Sequence, residues 1–159
     1  MFDFLKKKAD PYIYAPVQGK LIDIATVSDI TFAQKLLGDG VAFSVNEGKA
    51  TVYAPVSGKL ETLFPTLHAF GIQMDNGVSV LVHIGVNTVD ANGTGFKVCA
   101  KKQGDKVKAG DAIVEVDFDL LKQTYDTSVM LVILDPADKN ITFEAPMDVA
   151  LGTVVGTIQ

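Results

Sequence analysis

Two histidines, His68 and His83, are the only imidazoles in this chain of 159 residues. Both lie in apolar, alternating segments typical of β-strands, on either side of the turn Asp75-Asn76-Gly77. This arrangement predicts an antiparallel hairpin, in which the residues that face each other have a constant index sum. The spacing of the histidines about the turn therefore decides whether their side chains meet.

Two registers of this hairpin are expected from the turn sequence. A two-residue loop at Asp75-Asn76 gives an index sum of 151 and puts the histidines directly opposite each other, about 5 Å apart at Cβ. A loop at Asn76-Gly77 gives a sum of 153 and makes them diagonal neighbours, about 7–8 Å apart. Either register places both imidazoles on one face of the hairpin, together with Phe70, Ile72, Ser79 and Leu81.

Two adjacent imidazoles can support metal binding, acid–base hydrolysis or nucleophilic phosphoryl transfer. A zinc site usually needs three or four protein ligands, and only a carboxylate such as Asp39 could extend this pair. Hydrolysis lacks a recognisable nucleophile motif. A neutral imidazole near pH 7 can accept a phosphoryl group while its neighbour donates a hydrogen bond to the phosphoryl oxygens. Spacing alone does not choose between metal and phosphate.

The composition limits where the protein works and what it contacts. A net charge of −5 and a pI near 4.9 argue against nucleic acid as a partner. All 14 cationic side chains are lysines, so a phosphate site must do without the bidentate arginine fork. The single cysteine, Cys99, excludes an intramolecular disulfide and favours the cytoplasm. Residues 1–13 are expected to be a flexible N-terminal segment, with a weak membrane-surface contact through residues 1–8 as the alternative.

An internal repeat organises the rest of the chain. Tyr14–Leu21 reads YAPVQGKL, Tyr53–Leu60 reads YAPVSGKL, and a fainter copy begins at Glu144. We predict one domain over residues 1–159, all-β, an antiparallel β-sandwich or barrel with short helices at Ser28–Leu37 and Phe118–Thr124. The predicted strands are Val41–Val45, Lys49–Tyr53, Phe70–Met74, Val78–Ile84, Ala112–Val116, Val129–Leu134, Ile141–Phe143 and Val154–Ile158.

The motifs together resemble a known family. They are T-x-H-A-F at residues 66–70, V-H-I-G-V-N-T-V at 82–89, G-T-G-F at 93–96, the two A-P-V-x-G-K-L strings, and the glycine-rich strings at 38–43 and 104–111. This set resembles the glucose-type enzyme IIA of the bacterial phosphoenolpyruvate-dependent sugar phosphotransferase system, over nearly the whole chain.

The resemblance implies a duplicated β-sandwich that works as a phosphotransferase component and holds no cofactor of its own. His83 would take a phosphoryl group from the phosphocarrier protein HPr and pass it to a cysteine on the IIB domain of a sugar transporter. His68 would stabilise the phosphoryl group, and Thr66 would orient His68. The resemblance also implies a partner-docking surface, with the acidic Asp39 beside the site and the apolar residues Val41, Phe43, Phe70 and Leu81.

One position departs from the family pattern. The family commonly has aspartate where this chain has Asn87, so a carboxylate role cannot be carried over to that residue. The sugar and any regulatory partner stay open at this stage. So does the rival reading, a zinc-dependent peptidase-like or metal-binding β domain, and so does a Zn²⁺ ion held adventitiously or between molecules at His68 and His83. The chain lacks the HxxxD and HxH motifs of lysostaphin-type peptidases.

Overall fold

The computed structural model describes residues 10–45 and 48–159, and antiparallel strands are the main regular structure of that part of the chain. The predicted strands are all present, and six further short strands join them. In chain order the strands are β1 (Tyr12–Tyr14), β2 (Gly19–Asp23), β3 (Gly40–Ser44), β4 (Lys49–Tyr53), β5 (Gly58–Leu63), β6 (Ala69–Gln73), β7 (Ser79–Ile84), β8 (Phe96–Val98), β9 (Lys106–Val107), β10 (Ala112–Asp117), β11 (Val129–Asp135), β12 (Ile141–Phe143), β13 (Met147–Val149) and β14 (Val154–Ile158).

The strands form three sheets. The largest has eight strands in the order β13-β2-β3-β11-β7-β6-β5-β9, and two sheets of three strands have the orders β1-β14-β12 and β4-β10-β8. The sheets are antiparallel and none of them closes into a barrel, so the sandwich alternative is the correct one. Tyr12 and Ile13 pair with β14, so the flexible segment expected over residues 1–13 is wrong for these two. Residues 1–8, expected as a membrane-surface contact, lie outside the described residues.

The sequence repeat is visible as reciprocal hydrogen bonds between its two copies. The Tyr14 N–H donates to the Pro55 carbonyl at 2.9 Å, and the Tyr53 N–H donates to the Pro16 carbonyl at 2.8 Å. The glycine that follows each proline by three residues also has the same role in both copies. A Cβ at Gly19 would collide with the Ser44 carbonyl, and one at Gly58 with the Gln73 carbonyl. The repeat therefore encodes close backbone crossings that only glycine permits.

The eight-stranded sheet buries apolar side chains on both faces. One face contributes to the main core, whose largest fully buried members include Phe43, Phe70 and Leu131. The other face presents Ala42, Met130 and Val132 to a smaller core. That smaller core is covered by residues 24–37, which we call the cap. His83 belongs to this second face, because it pairs with Met130 and Ala69 on the neighbouring strands.

The cap contains a 3₁₀ turn at Ile24–Thr26 and a single turn of helix, α1 (Ile30–Ala33). Asp29 caps α1 by accepting a hydrogen bond from the Thr31 N–H at 2.8 Å. The predicted helix Ser28–Leu37 is too long, because Lys35 adopts a left-handed conformation with φ of 57° that ends the helical path. The second helix, α2 (Phe118–Leu121), is likewise shorter than the predicted Phe118–Thr124.

The β6–β7 hairpin has neither of the predicted registers. Ala69 pairs with His83 and Phe70 with Val82, so the index sum is 152. The loop has three residues and is closed by a hydrogen bond from the Met74 N–H to the Val78 carbonyl, and Gly77 adopts a φ of 91° within it. A three-residue loop with a left-handed glycine is a standard hairpin connection, and it moves the register by one residue. As a result Phe70 and Ile72 lie on the main-core face, opposite to the face of His83.

No helix among residues 10–45 and 48–159 is long and apolar enough to span a membrane.

Candidate functional site: a histidine pair at the edge of the cap

The two histidines meet in spite of the changed register. Their ring centroids are 5.1 Å apart and the rings are nearly perpendicular, with an interplanar angle of 79°. His68 stands in a bend just before β6, outside the pleat, and the preceding Leu67 has a φ of 63°. Since His68 does not follow the alternation of the strand, its side chain can reach the face of His83. The predicted pairing is confirmed, although by a different geometry.

His83 has one ring nitrogen engaged and one open. Its Nδ1 lies 2.8 Å from the Gly85 carbonyl oxygen, which can only accept, so Nδ1 carries the proton. This fixes the neutral tautomer with a lone pair on Nε2. Gly85 has a φ of 79°, and a Cβ there would collide with the Thr88 side chain. A glycine is therefore required where the backbone turns to present this carbonyl to the histidine.

His68 is oriented by Thr66, as the sequence predicts. The Thr66 Oγ1 and His68 Nδ1 are 2.7 Å apart, a hydrogen-bond distance. When the threonine hydroxyl donates this bond, His68 carries its proton on Nε2 and can donate it into the site. The side chain is only 4% exposed. Thr66 therefore holds a nearly buried imidazole in one orientation.

Both imidazoles are held neutral at pH 7. Burial lowers the pKa of His83 from its usual 6.5 to about 4, and the neighbouring His68 contributes to the same shift. The Gly85 carbonyl and the charge of Asp29 act in the opposite direction. Burial also lowers the pKa of His68. A neutral His83 with a free Nε2 is a nucleophile over the whole physiological pH range.

Two phenylalanines that the sequence reasoning missed enclose the pair. The Phe32 ring from α1 lies 4.9 Å from the His83 ring, and the Phe64 ring lies 5.2 Å from the His68 ring. Phe32, His83, His68 and Phe64 thus form a continuous row of four rings. The N-cap pattern Ser28-Asp29 before an apolar turn is the sequence signal for the helix that carries Phe32. Nothing in the local sequence marks Phe64.

Asp39, the predicted acidic neighbour of the site, stays a prediction, and in the structure it has a partner on the cap. Asp39 forms an ion pair with Lys35, with Nζ and Oδ1 3.0 Å apart, and accepts from the Gly40 N–H. The carboxylate whose charge acts on His83 is Asp29, at the start of α1. Asp29 comes just before the apolar residues of the cap. Its charge acts on His83 only because the cap folds over the sheet, so its position in the chain does not indicate this role.

The apolar docking surface expected at Val41, Phe43, Phe70 and Leu81 is wrong for three of these residues. Val41, Phe43 and Phe70 are at most 6% exposed and belong to the main core. Leu81 alone is partly exposed, on the His83 face of β7. The cap and the loop before His68 do expose large apolar side chains: Ile30 (62%), Leu36 (66%), Leu37 (43%) and Phe64 (38%).

Asn87 occupies a left-handed backbone position after β7. Its φ is 61° and ψ is 18°, its side chain is exposed, and it begins the 3₁₀ turn Thr88–Ala91 without a side-chain capping bond. Asparagine tolerates this conformation better than most residues. The structure therefore gives a local backbone reason for asparagine at this position.

Among the described residues, no group of three or more His, Cys, Asp or Glu side chains is arranged to hold a metal ion. A metal at this site would have His68 and His83 as its imidazole ligands and would need further ligands from outside those residues. A zinc-dependent peptidase site has no other support in the chain, and the comparisons with known proteins give it none.

The comparisons agree with one another and with this geometry. The sequence model of the phosphoenolpyruvate-dependent sugar phosphotransferase system EIIA 1 family matches residues 11–139. The chain is 45% identical over 132 residues to the glucose-specific EIIA component of Halalkalibacterium halodurans, covering 83% of this chain and 75% of the relative. It is 36% identical over 146 residues to the glucose-specific EIICBA component of Staphylococcus saprophyticus, covering 91% of this chain but only 21% of that longer protein.

A solved structure shows the same fold. The glucose permease IIA of Mycoplasma capricolum superimposes with a TM-score of 0.81 at 36% identity, covering 98% of both chains. The sequence match includes the histidine pair, and the structural match includes the sheets that carry it. This chain belongs to the phosphoenolpyruvate-dependent sugar phosphotransferase system EIIA 1 family.

Proposed function

We propose that the protein carries a phosphoryl group on Nε2 of His83 during glucose uptake. The observation that carries this proposal is the hydrogen bond from His83 Nδ1 to the Gly85 carbonyl, since it leaves Nε2 as the nucleophilic nitrogen of a neutral ring. Two relatives are named as glucose-specific components, which supports glucose as the sugar.

The phosphoryl group arrives from a phosphohistidine of HPr. The Nε2 lone pair of His83 attacks phosphorus, the N–P bond of the donor breaks, and the donor nitrogen keeps the electron pair. In the second step a cysteine thiolate of a IIB domain attacks the same phosphorus and His83 recovers its lone pair. The first step exchanges one P–N bond for another and makes the site more negative, and the second exchanges P–N for P–S and returns the site to its former charge.

His68 stabilises the phosphoryl oxygens during both steps. It lies beside His83, and the Thr66 hydroxyl at its Nδ1 directs the Nε2–H toward the site. A preorganised donor of this kind acts most strongly on the charge that develops as the bond is transferred. The chain has no arginine, and His68 is a donor side chain whose ring lies 5.1 Å from that of His83.

Docking of both partners is assigned to the exposed apolar side chains that border the pair. Phe64 exposes apolar surface against the His68 ring, and Ile30 and Leu36 expose apolar surface on the cap, whose Phe32 contacts the His83 ring. Exposed apolar groups around a reactive centre are typical of protein interfaces. The IIB partner fits the fused EIICBA relative, in which the EIIA portion is one part of a longer chain. We place this exchange in the cytoplasm, which the single cysteine also favours.

The test is incubation of the protein with phosphoenolpyruvate, enzyme I and HPr, followed by intact mass. The wild type should gain about 80 Da, the mass of one phosphoryl group. The label should be lost in acid and kept in base. His83→Ala should gain nothing, whereas His68→Ala should be labelled but should pass the group to IIB slowly. An unlabelled wild type contradicts the carrier function, and zinc content by elemental analysis then decides the metal-binding alternative.

A further inference from the structure

Asp126 joins the cap to the start of β11, the strand that follows Asp126 in the chain. Its carboxylate accepts a hydrogen bond from the Ser28 hydroxyl at 2.8 Å, although the two residues are 98 positions apart in the chain. The same carboxylate accepts from the Ser128 N–H at 2.9 Å and from the Ser128 hydroxyl at 2.7 Å. The Asp126 side chain thus bonds both to the cap, through Ser28, and to the residues just before β11, through Ser128.

The segment around Asp126 is itself fixed to the strand that carries His83. The Val86 N–H donates to the Asp126 carbonyl at 2.9 Å, and the Gly85 N–H donates to the Ser128 carbonyl at 2.8 Å. The buried Thr127 hydroxyl donates to the Val45 carbonyl at 2.8 Å. Residues 126–128 are therefore an anchor for Gly85, whose carbonyl binds the proton of His83 Nδ1.

The other end of the bridge controls the cap. Ser28 is followed directly by Asp29, which caps α1, and α1 places Phe32 against the His83 ring. Desolvation raises the pKa of the Asp126 carboxyl, but its hydrogen bonds from Ser128 and Ser28 outweigh this and lower it. Asp126 is consequently a full acceptor at neutral pH, and bonds to a charged acceptor are stronger than neutral ones.

We propose that Asp126 is a positioning residue for phosphoryl acceptance at His83, an inference that rests on the function proposed above. The Asp126 carboxylate holds the cap on the anchor. The cap then keeps Phe32 on one side of the His83 ring while the anchor keeps the Gly85 carbonyl on Nδ1. Asp126 has no contact with the reacting nitrogen and acts through these two neighbours alone.

The test compares Ser28→Ala, Asp126→Ala and the double variant with the wild type. The first readout is the pKa of His83 by NMR titration, which needs no phosphoryl donor. Burial is the largest cause of the low pKa, and release of the cap exposes the ring. Asp126→Ala should therefore raise the pKa by about one unit, and Ser28→Ala, which keeps the backbone N–H bond from Ser28 to the carboxylate, should raise it by less. The titratable groups that act on His83 are His68 and Asp29, which no variant removes, and the hydrogen bond to the Gly85 carbonyl also raises its pKa.

The second readout is the rate of labelling from phosphorylated HPr. Asp126→Ala should be slower by about tenfold and Ser28→Ala by less, because alanine keeps the backbone N–H bond to Asp126; the double variant should be no slower than Asp126→Ala, since both changes act on one bridge. Asp138→Asn is the control for the loss of a carboxylate in Asp126→Ala, because it removes an exposed carboxylate on the loop after β11. It should change neither readout.

The outcomes separate this inference from the carrier function. If wild type is never labelled, the carrier function fails, and the NMR readout still shows whether the bridge holds the cap. If wild type is labelled but both single variants keep the wild-type pKa and rate, the positioning role is wrong. A slower Asp126→Ala with an unshifted pKa and a normal Ser28→Ala also overturns it. Should Asp126→Ala fail to fold, Ser28→Ala alone decides.

Discussion

Acidification from pH 7 to pH 5 should destabilise the fold through His83. In the folded protein the pKa of this imidazole is about 4, whereas in the unfolded chain it returns to about 6.5. Between these values the unfolded chain binds a proton that the folded protein does not bind. The free energy of unfolding therefore falls as the pH drops below 6.5, and the contribution of His83 levels off below pH 4.

The size of the effect follows from the pKa difference. One pKa unit corresponds to about 1.4 kcal/mol, so the loss at pH 5 is about 2 kcal/mol. Domains of this size are usually stable by about 5–15 kcal/mol, so a loss of this order is easily measured. Urea unfolding at pH 7 and pH 5 would measure it, with His83→Gln as the matched variant, since glutamine does not titrate.

The comparison of the two proteins isolates His83. The carboxylates and His68 titrate in both, so the excess loss of stability in the wild type belongs to His83. We expect the wild type to lose about 2 kcal/mol more than His83→Gln between the two pH values. Equal losses in the two proteins would refute the reasoning, because they would mean that the folded protein does not keep this imidazole neutral.

Three further substitutions test individual contacts of the site. Thr66→Val removes the hydroxyl at His68 Nδ1 and should slow transfer to IIB about tenfold, with Thr66→Ser near wild type; equal rates would contradict the tautomer assigned to His68. Asp29→Asn keeps a helix cap but removes a charge that raises the pKa of His83, so NMR titration should show a lower pKa, and an increase would contradict this. Asn87→Asp adds a negative charge after β7 and should slow acceptance of the dianionic phosphoryl group. The rate of mass gain measures this, and a faster rate in the variant would contradict it, because the added charge would then favour binding of the phosphoryl donor.

The meeting of the two histidines could be predicted from the sequence, but its geometry could not. The turn at Asp75-Asn76-Gly77 predicts a hairpin, and the distance of each histidine from it brings both to the open end. The exact loop length depends on whether Gly77 takes a left-handed conformation inside the loop, and the sequence permits both choices. The departure of His68 from the strand, after the left-handed Leu67, then restored the contact that the register alone would have lost.

The surroundings of the pair were harder to predict because they come from distant segments. Phe32 reaches His83 only when the cap folds onto the second face of the large sheet. The sequences of β3 and β11 do not reveal this face, because both strands are buried on both sides and show no alternation of polar and apolar residues. For the same reason the sequence pattern does not show whether Phe43 and Phe70 lie in the core or at the surface.

The central claim is that Nε2 of His83 carries the phosphoryl group, because Nδ1 is committed to the Gly85 carbonyl. The most direct measurement is phosphorus–nitrogen correlated NMR of the phosphorylated protein, made with ¹⁵N-labelled histidine. The account predicts a single correlation, from phosphorus to Nε2 of His83. A correlation to Nδ1, a correlation to His68, or a phosphorus signal on a hydroxyl oxygen would contradict it.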